Sequence, residues 1–501
     1  MKQTSRFSPV DMSSEEFRQV GHQLVDQIAE FFTSLPDRPV RPSQSPQTIR
    51  QVLGNESLPE SGQPASELLQ RAMDLLFDYS TFNGHPRFMG YITSSATPIG
   101  ALGDLLAAAI NANLGGYQLS PMATEMEVQT VRWIAELIGY PSGSGGLLVS
   151  GGNAANFVGF LAARKAKAGW DVRRKGLFEG TGGQLFVYVS QETHTWVEKA
   201  ADLFGLGTDA IRWIPTDDQQ RMDPSALQNR LDADLAQGGQ PFMVAGTAGT
   251  VSTGAIDPLP QIAAICRQYD LWFHVDGAYG AFSAALPDTP ADIRGIAEAD
   301  SVALDPHKWL YSPLEAGCIL VRDPQTLLDA FSYNPDYYHF EKDVAEATID
   351  YYEYGLQNSR GFRALKVWLG LHQAGKDGYV RMMQDDIALA SALYELASRH
   401  PELETYTHNL SITTFRYVPA GLETETEAAG RYLNELNTEL LERLQISGEA
   451  FISNAVLNGT FVLRACIVNF RTTLADIEAI PGIVTRIGRQ VDQEIRPENL
   501  R

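Results

Sequence analysis

Two apolar runs of strand length each lead to a side chain that could do chemistry. Residues 301–304 precede Lys308, and residues 271–275 precede Asp276. A parallel sheet opens to ligands at the carboxyl ends of its buried strands. A lysine that can form a Schiff base, with an aspartate that can pair with a pyridinium nitrogen, is the minimum set for pyridoxal phosphate chemistry. A lone lysine after a strand is usually a solvated surface charge, so the prediction depends on the two runs together.

A third apolar run, 147–149, leads into Gly151 and Gly152, and a helix is predicted to follow from Asn153. Glycine lets the backbone approach a ligand closely, and the free N–H groups of a first helical turn attract an anion. The pattern predicts a phosphate site, although a strand-to-helix turn that binds no ligand would show the same pattern. The amine and the carboxylate further along the chain favour the phosphate site.

A histidine follows a fourth apolar run, 184–190, and should lie at the same edge of the sheet. This residue is His194. Its flat imidazole could stack on a pyridine ring and restrict where the substrate lies. The alternative is a histidine with a purely structural role.

Composition argues against several classes of partner. The 501 residues carry a formal net charge of -22 without a basic stripe, which argues against nucleic acid and anionic membranes. The three cysteines are far apart, which predicts no disulfide and no paired-cysteine metal site and favours a reducing compartment. The amino terminus lacks the apolar core of a signal peptide, and the apolar segment 99–110 is too short to span a bilayer. We therefore expect a cytoplasmic protein that binds no metal.

Three units are predicted along the chain. Residues 1–87 form a helical segment, in which Ser13 caps the first helix and 36–64 is an extended connection. Residues 88–380 alternate apolar runs of strand length with helical stretches, which predicts an α/β unit with a mostly parallel sheet. Residues 381–501 read as a smaller α+β unit with antiparallel strands.

The sequence resembles the pyridoxal-phosphate-dependent group II decarboxylases, the family of aromatic L-amino acid, glutamate and histidine decarboxylases. The resemblance covers nearly the whole chain and includes the runs 16–26, 85–91, 120–127 and 359–366, together with the Asp-Pro-His-Lys-Trp run that ends at Trp309. It implies fold type I, pyridoxal 5'-phosphate as cofactor, and a homodimer, held partly by the N-terminal segment, in which two subunits share each active site.

The resemblance also implies roles for single residues. Lys308 would carry the cofactor, Asp276 would pair with the pyridine nitrogen, and His194 and Ala278 would contact opposite faces of the ring. Further cofactor contacts are implied for Gly152, Asn153, Ser301 and His307, and substrate contacts for Tyr91, Ser94 and Trp309.

Tyr351 aligns with a tyrosine on the mobile catalytic loop of the resembling enzymes. Its implied role is to protonate the substrate carbon after carbon dioxide leaves, a general-acid step that typically contributes ~10²–10⁴-fold. The surrounding segment, 332–354, is rich in tyrosine and mixed charge, as expected of a loop that closes over a ligand. The alternative is that these tyrosines simply pack.

Two departures from the family pattern concern the pocket. Asp305 stands where aromatic decarboxylases commonly have asparagine, and because a carboxylate would repel a phosphate we leave it out of the predicted site. Asn113 and Gly115 replace bulkier apolar residues, so the pocket edge points to no single aromatic amino acid.

The leading hypothesis is decarboxylation of an L-amino acid to an amine and carbon dioxide, and the resemblance favours an aromatic substrate. One alternative is the aldehyde-forming branch of the family, which tends to lose the loop tyrosine or the stacking histidine. The others are a decarboxylase of an acidic or small amino acid, and an inactive relative that acts as a binding subunit.

Overall fold

The protein is described from a computed structural model, over residues 8–177, 183–333 and 348–500. Residues 334–347 of the tyrosine-rich segment therefore lie outside the described part. The helices are α1 (Ser14–Ser34), α2 (Pro46–Leu53), α3 (Ala65–Tyr79), α4 (Pro98–Ile110), α5 (Pro121–Leu137), α6 (Gly152–Lys167), α7 (Val172–Lys175), α8 (Trp196–Leu203), α9 (Pro224–Ala236), α10 (Leu259–Gln268), α11 (Pro306–Trp309), α12 (Gln325–Phe331), α13 (Ala364–Ser398), α14 (Glu427–Ser447) and α15 (Leu474–Ile495). The strands are β1 (Phe88–Met89), β2 (Gly145–Val149), β3 (Leu185–Ser190), β4 (Ile211–Ile214), β5 (Gln240–Thr247), β6 (Trp272–Asp276), β7 (Ser301–Leu304), β8 (Gly317–Val321), β9 (Leu403–Asn409), β10 (Ile412–Tyr417), β11 (Phe451–Leu457) and β12 (Thr460–Cys466).

A seven-stranded sheet lies at the centre of the large unit, in the order β2-β8-β7-β6-β5-β3-β4 among the described residues. Strand β8 is antiparallel to both of its neighbours, and the other pairs are parallel. Strands β3, β6, β7 and β8 are buried along their whole length, which is why they read as continuous apolar runs. The predicted α/β fold with a mostly parallel sheet is confirmed.

A second sheet of five strands, in the order β1-β11-β12-β10-β9, forms the smaller C-terminal unit. Helices α14 and α15 pack together against this sheet. Contacts or helices cross the predicted domain boundaries. Residue 88 already pairs with Phe451 of the smaller sheet. Residue 380 lies inside α13, which passes from one unit to the other with a kink at Gly375, where φ is +64°.

The N-terminal segment consists of helices that bury little by themselves. Helix α1 begins as predicted, with the backbone N–H of Glu16 donating to Ser13 Oγ at 3.1 Å. The predicted extended connection over 36–64 is wrong in part, because it contains α2. Ser45 caps that helix and proline occupies its first position, a favoured start for a short helix.

None of the helices in the described ranges combines the length and the apolar character that a bilayer crossing needs.

Candidate active site

A cavity of about 380 Å³ lies where β5, β6 and β7 end and α6 begins. Lys308, Asp276 and His194 all line it, so the side chains predicted from three separate runs share one space. Thr247 lies opposite Asp276 across the β5–β6 pair, which brings a hydroxyl and a carboxylate to the same edge. The volume is in the range of small-molecule sites.

Lys308 is on the four-residue helix α11, directly after β7. Its Nζ lies 3.0 Å from Oδ2 of Asp305, which is itself 2% exposed. Asp305, which the sequence prediction leaves out of the site, also lines the cavity. That prediction considered the repulsion of a phosphate and not the attraction of the adjacent ammonium group.

Asp276 ends β6 and is 6% exposed, with Oδ1 accepting the backbone N–H of Ala278 at 3.2 Å. Burial raises the pKa of Asp276, although the charge of Lys308 and the N–H of Ala278 oppose that rise. A cationic partner in the cavity would therefore hold this carboxylate in its charged form.

His194 lies in the loop between β3 and α8. Its Nδ1 accepts the backbone N–H of Trp196 at 3.3 Å, which leaves the proton of the neutral ring on Nε2. Burial lowers the pKa of His194, an effect that nearby Asp276 opposes and Lys308 reinforces. A neutral, flat imidazole is the form suited to stack on an aromatic ligand.

The turn before α6 favours glycine for steric reasons. Gly151 has φ of +145°, and a Cβ on Gly152 would lie 2.8 Å from Oδ2 of Asp305 and 3.3 Å from Cβ of Ala278. With Asn153, these glycines line the cavity at the amino end of the sixteen-residue helix α6. The arrangement leaves room for an anion at the amino end of the helix, where backbone N–H groups have no partner within the helix.

His307 is held by the backbone of the neighbouring strand. Its Nδ1 lies 2.7 Å from the carbonyl oxygen of Ala316, and burial lowers its pKa. His307 lines the cavity, but Ser94 does not. The Ser94 hydroxyl donates a hydrogen bond to the carbonyl oxygen of His307 at 2.7 Å. Ser94 thus supports the lysine-bearing turn in this chain.

Two residues with predicted contacts, one to the cofactor and one to the substrate, lie away from the cavity. Ser301 is at the start of β7, at the opposite end of that strand from Lys308, and its Oγ bonds His274 and Trp272. Trp309 is fully buried behind the cavity, where its ring stacks on Tyr279. Neither lines the cavity. Ser301 is separated from the cavity by the length of β7. Trp309 follows Lys308 on α11, where the helical turn directs its side chain away from the cavity.

Tyr91 and Tyr351 are also absent from the cavity wall of this chain. Tyr91 is 60% exposed, and the next residue, Ile92, lines the cavity instead. Tyr351 is 1% exposed and packs in the core, with the guanidinium of Arg360 4.5 Å from its ring centroid. Burial raises the pKa of Tyr351 well above its ordinary value, so the phenol keeps its proton.

Sequence reasoning missed Thr247 and Asn156, which both line the cavity. Thr247 is the last residue of β5, so the rule that identified Asp276 would have found it. Asn156 lies inside α6, one turn after Gly152, and a helical-face argument from the glycine turn would have pointed to it.

Two orphaned polar atoms test whether the cavity suits a polar cofactor. Oγ1 of Thr247 and Oδ1 of Asp305 are buried and have no hydrogen-bond partner among the described residues. Unpaired buried polar groups are costly, and they are expected where a ligand supplies the missing partner. With an amine, a buried carboxylate and an anion-binding turn beside them, the cavity fits pyridoxal phosphate.

Comparisons with known proteins agree with this chemistry. The sequence profile of the pyridoxal-dependent decarboxylase conserved domain matches residues 46–418. An aromatic-L-amino-acid decarboxylase of Bacillus atrophaeus is 33% identical over 96% of this chain and 97% of its own length. A phenylacetaldehyde synthase of a Rosa hybrid cultivar is 30% identical over 91% of this chain and 90% of its own. The crystal structure of Oryza sativa TDC with PLP and tryptamine superposes with a TM-score of 0.89 at 27% identity, covering 97% of this chain and 99% of that one.

Proposed function

The chain belongs to the family of pyridoxal-dependent decarboxylases, and we propose that it converts an aromatic L-amino acid to its amine with release of carbon dioxide. The observation that carries the proposal is the convergence of Lys308, Asp276 and His194 on one cavity. Apolar side chains of Ile92 and Val251 also line this cavity and offer a surface for an aromatic ring.

Pyridoxal phosphate, attached through its aldehyde, supplies an electron sink for the bond between the α-carbon and the carboxylate of an amino acid. Lys308 supplies the amine for attachment, and Asp305 orients that amine within the cavity. Asp276 would hold a proton at the ring nitrogen. His194 would cover the ring and exclude water from it, while the amino end of α6 would bind the phosphate.

The source of the final proton decides between amine and aldehyde. The resemblance implies Tyr351, and we propose that it fills this role after its side chain leaves the core position seen here. Its place outside the cavity also supports a second candidate, the aldehyde-forming reaction, to which the rose relative's name points. His194 in the cavity supports the amine, since the resembling aldehyde-forming enzymes tend to lose this histidine or the tyrosine.

We further propose a homodimer with shared active sites, formed partly by the N-terminal helices. Helices α1 to α4 leave apolar side chains exposed, and such a surface is stable when a partner covers it. The exposed residues are Phe17, Val25, Val52, Leu53, Leu68, Leu76, Leu102, Leu105, Leu106 and Ile110. Sedimentation should give twice the chain mass, and a monomer at micromolar concentration would contradict this part.

The proposed location is the cytoplasm. Cys266, Cys318 and Cys466 are all unpaired and buried, which supports a reducing compartment. The acidic net charge supports a small-molecule substrate and argues against a nucleic-acid partner.

Turnover of the purified holoenzyme tests the proposed reaction. The twenty common amino acids, dopa and 5-hydroxytryptophan are supplied one at a time, and carbon dioxide, amine, ammonia and peroxide are measured. Equimolar amine and carbon dioxide from an aromatic substrate is the expected result. Ammonia and peroxide as main products would establish the aldehyde-forming reaction, and preference for glutamate or another acidic or small substrate would contradict the substrate class.

A further inference from the structure

A chain of four buried polar side chains joins the interior of the large sheet to the cavity. Trp272 Nε1 lies 2.8 Å from Ser301 Oγ, and Ser301 Oγ lies 2.7 Å from Nδ1 of His274. Nε2 of His274 lies 2.7 Å from Oδ1 of Asn156. All four residues are at most 5% exposed, and Asn156 lines the cavity at the far end of the chain.

The direction of the hydrogen bonds follows from the two ends of the chain. An indole N–H only donates, so Ser301 Oγ accepts from Trp272, and an amide oxygen only accepts, so Nε2 of His274 carries a proton. Burial lowers the pKa of His274 to about 3, so the ring is neutral and its Nδ1 accepts the proton of the Ser301 hydroxyl. Nε2 then donates to Oδ1 of Asn156, which turns the amide nitrogen of Asn156 away from His274.

Asn156 lies between the phosphate turn and the strand that carries Asp276. It is four residues after Gly152 on α6, hence on the same helical face as the anion-binding turn. His274 is two residues before Asp276 on β6, hence on the same face of the sheet as that carboxylate. The His274–Asn156 bond therefore ties the helix that starts at the phosphate turn to the strand that carries the ring-nitrogen partner.

We infer that Asn156 is a cofactor-binding residue whose amide N–H groups face the cavity, and that Trp272, Ser301 and His274 are positioning residues that hold it in this orientation. The inference rests on the pyridoxal phosphate site and is independent of which amino acid is the substrate or which product forms. Ser301, which does not line the cavity, would thus act on the site through its hydrogen bond to His274.

A titration of the apoprotein with pyridoxal 5'-phosphate, followed by cofactor absorbance, tests the inference without turnover. Asn156→Asp keeps the oxygen that accepts from His274 and replaces the donor by an acceptor. It should weaken cofactor binding by roughly tenfold or more. Ser301→Ala, which removes the hydroxyl that fixes the histidine tautomer, should weaken binding by a smaller factor of roughly threefold.

Asn437→Asp is the matched control, because Asn437 is equally buried and hydrogen-bonded but lies on α14 in the smaller unit. It should lower the melting temperature of the apoprotein and leave cofactor binding unchanged. If Asn156→Asp does not fold, Asn156→Ala, which buries no charge, takes its place with the same expectation.

Cofactor binding as tight as wild type in the Asn156 variants would overturn the assignment of Asn156. Weakened binding in those variants with unchanged binding in Ser301→Ala would overturn the positioning role. Failure of the proposed function is seen separately, as wild-type protein that binds the cofactor and consumes no amino acid.

Discussion

Two buried clusters of charge lie on either side of the turn between β2 and α6, and they differ in how their polar atoms are paired. In the first, both carboxylate oxygens of Glu127 and both terminal nitrogens of Arg360 are hydrogen-bonded, partly to the backbone of Leu148 in β2. Nε of Arg360 has no hydrogen-bond partner among the described residues, but neither carboxylate oxygen of Glu127 is left without one. In the second, the cavity, Asp305 and Thr247 each keep an orphaned polar atom. A paired cluster stabilises a fold, whereas an unpaired one is prepared for a ligand.

The comparison predicts that the cavity can lose a charge without unfolding. Lys308→Ala should lower turnover by on the order of 10⁴-fold or more, because it removes the attachment point of the cofactor. Its free energy of unfolding should fall by less than ~3 kcal/mol, because the Lys308 side chain is 19% exposed at the cavity and its ion pair with Asp305 is not fully buried. Turnover assays and urea denaturation of the apoprotein measure the two quantities, with Lys376→Ala, an exposed lysine of α13, as the control. Turnover at the wild-type rate would remove Lys308 from the mechanism.

Removal of a charge from the paired cluster should instead have a large effect on stability. Arg360→Met leaves the Glu127 carboxylate buried without its partner, which should lower the free energy of unfolding by about 3–5 kcal/mol. Urea denaturation measures this loss. Arg381→Met, which breaks an exposed ion pair with Asp385, should change stability by less than ~1 kcal/mol. Equal effects of the two substitutions would contradict the structural role of the buried cluster.

A third buried charge, Asp386 on α13, should make stability depend on pH. Its Oδ2 accepts from Trp309 Nε1 at 2.9 Å and from the Tyr311 hydroxyl at 2.6 Å, directly behind the turn that carries Lys308. Burial raises the pKa of Asp386 to about 7 from an ordinary value of 3.8. The folded state therefore holds this proton more tightly than the unfolded chain, and stability falls as pH rises between these two values.

The Asp386→Asn variant cannot titrate and should not show this fall. Between pH 4 and pH 8, wild type should lose on the order of 3 kcal/mol of stability relative to the variant, as measured by urea denaturation. Asp385→Asn, on the exposed side of the same helix, serves as the control and should follow wild type. Parallel pH profiles for wild type and Asp386→Asn would show that Asp386 is charged throughout.

The smallest expected effect concerns Asp305, the residue that belongs to the unpaired cluster but pairs with Lys308. Attachment of the cofactor consumes the amine and ends this ion pair, so the pair stabilises the unloaded protein. Asp305→Asn should therefore tighten cofactor binding, by roughly tenfold at most, in a titration of the apoprotein. Weaker binding would instead mean that a hydrogen bond from the ligand to Asp305 contributes more to cofactor binding than the loss of the ion pair costs.

Much of the large unit follows from the sequence because its strands are buried on both faces and read as continuous apolar runs. Strands β2, β3, β6 and β7 lie where the runs predict them, and Lys308, Asp276 and His194 meet because parallel strands end at one edge. Strand β4 was not predicted, since its middle residues are partly exposed and it lies at the sheet edge. The short helix α2 was hidden in a segment rich in proline and serine.

The amino-acid sequence by itself determined which chemical groups the protein brings to its site, because strand periodicity and glycine geometry are local properties of the chain. Tertiary structure alone decided which neighbours of those groups face the cavity. Ser301, Trp309 and Tyr351 point into the core, and Asp305, Thr247 and Asn156 into the cavity. The direction of a buried side chain depends on partners distant in sequence, such as Asp386 for Trp309 and His274 for Asn156, and no local pattern encodes those partners.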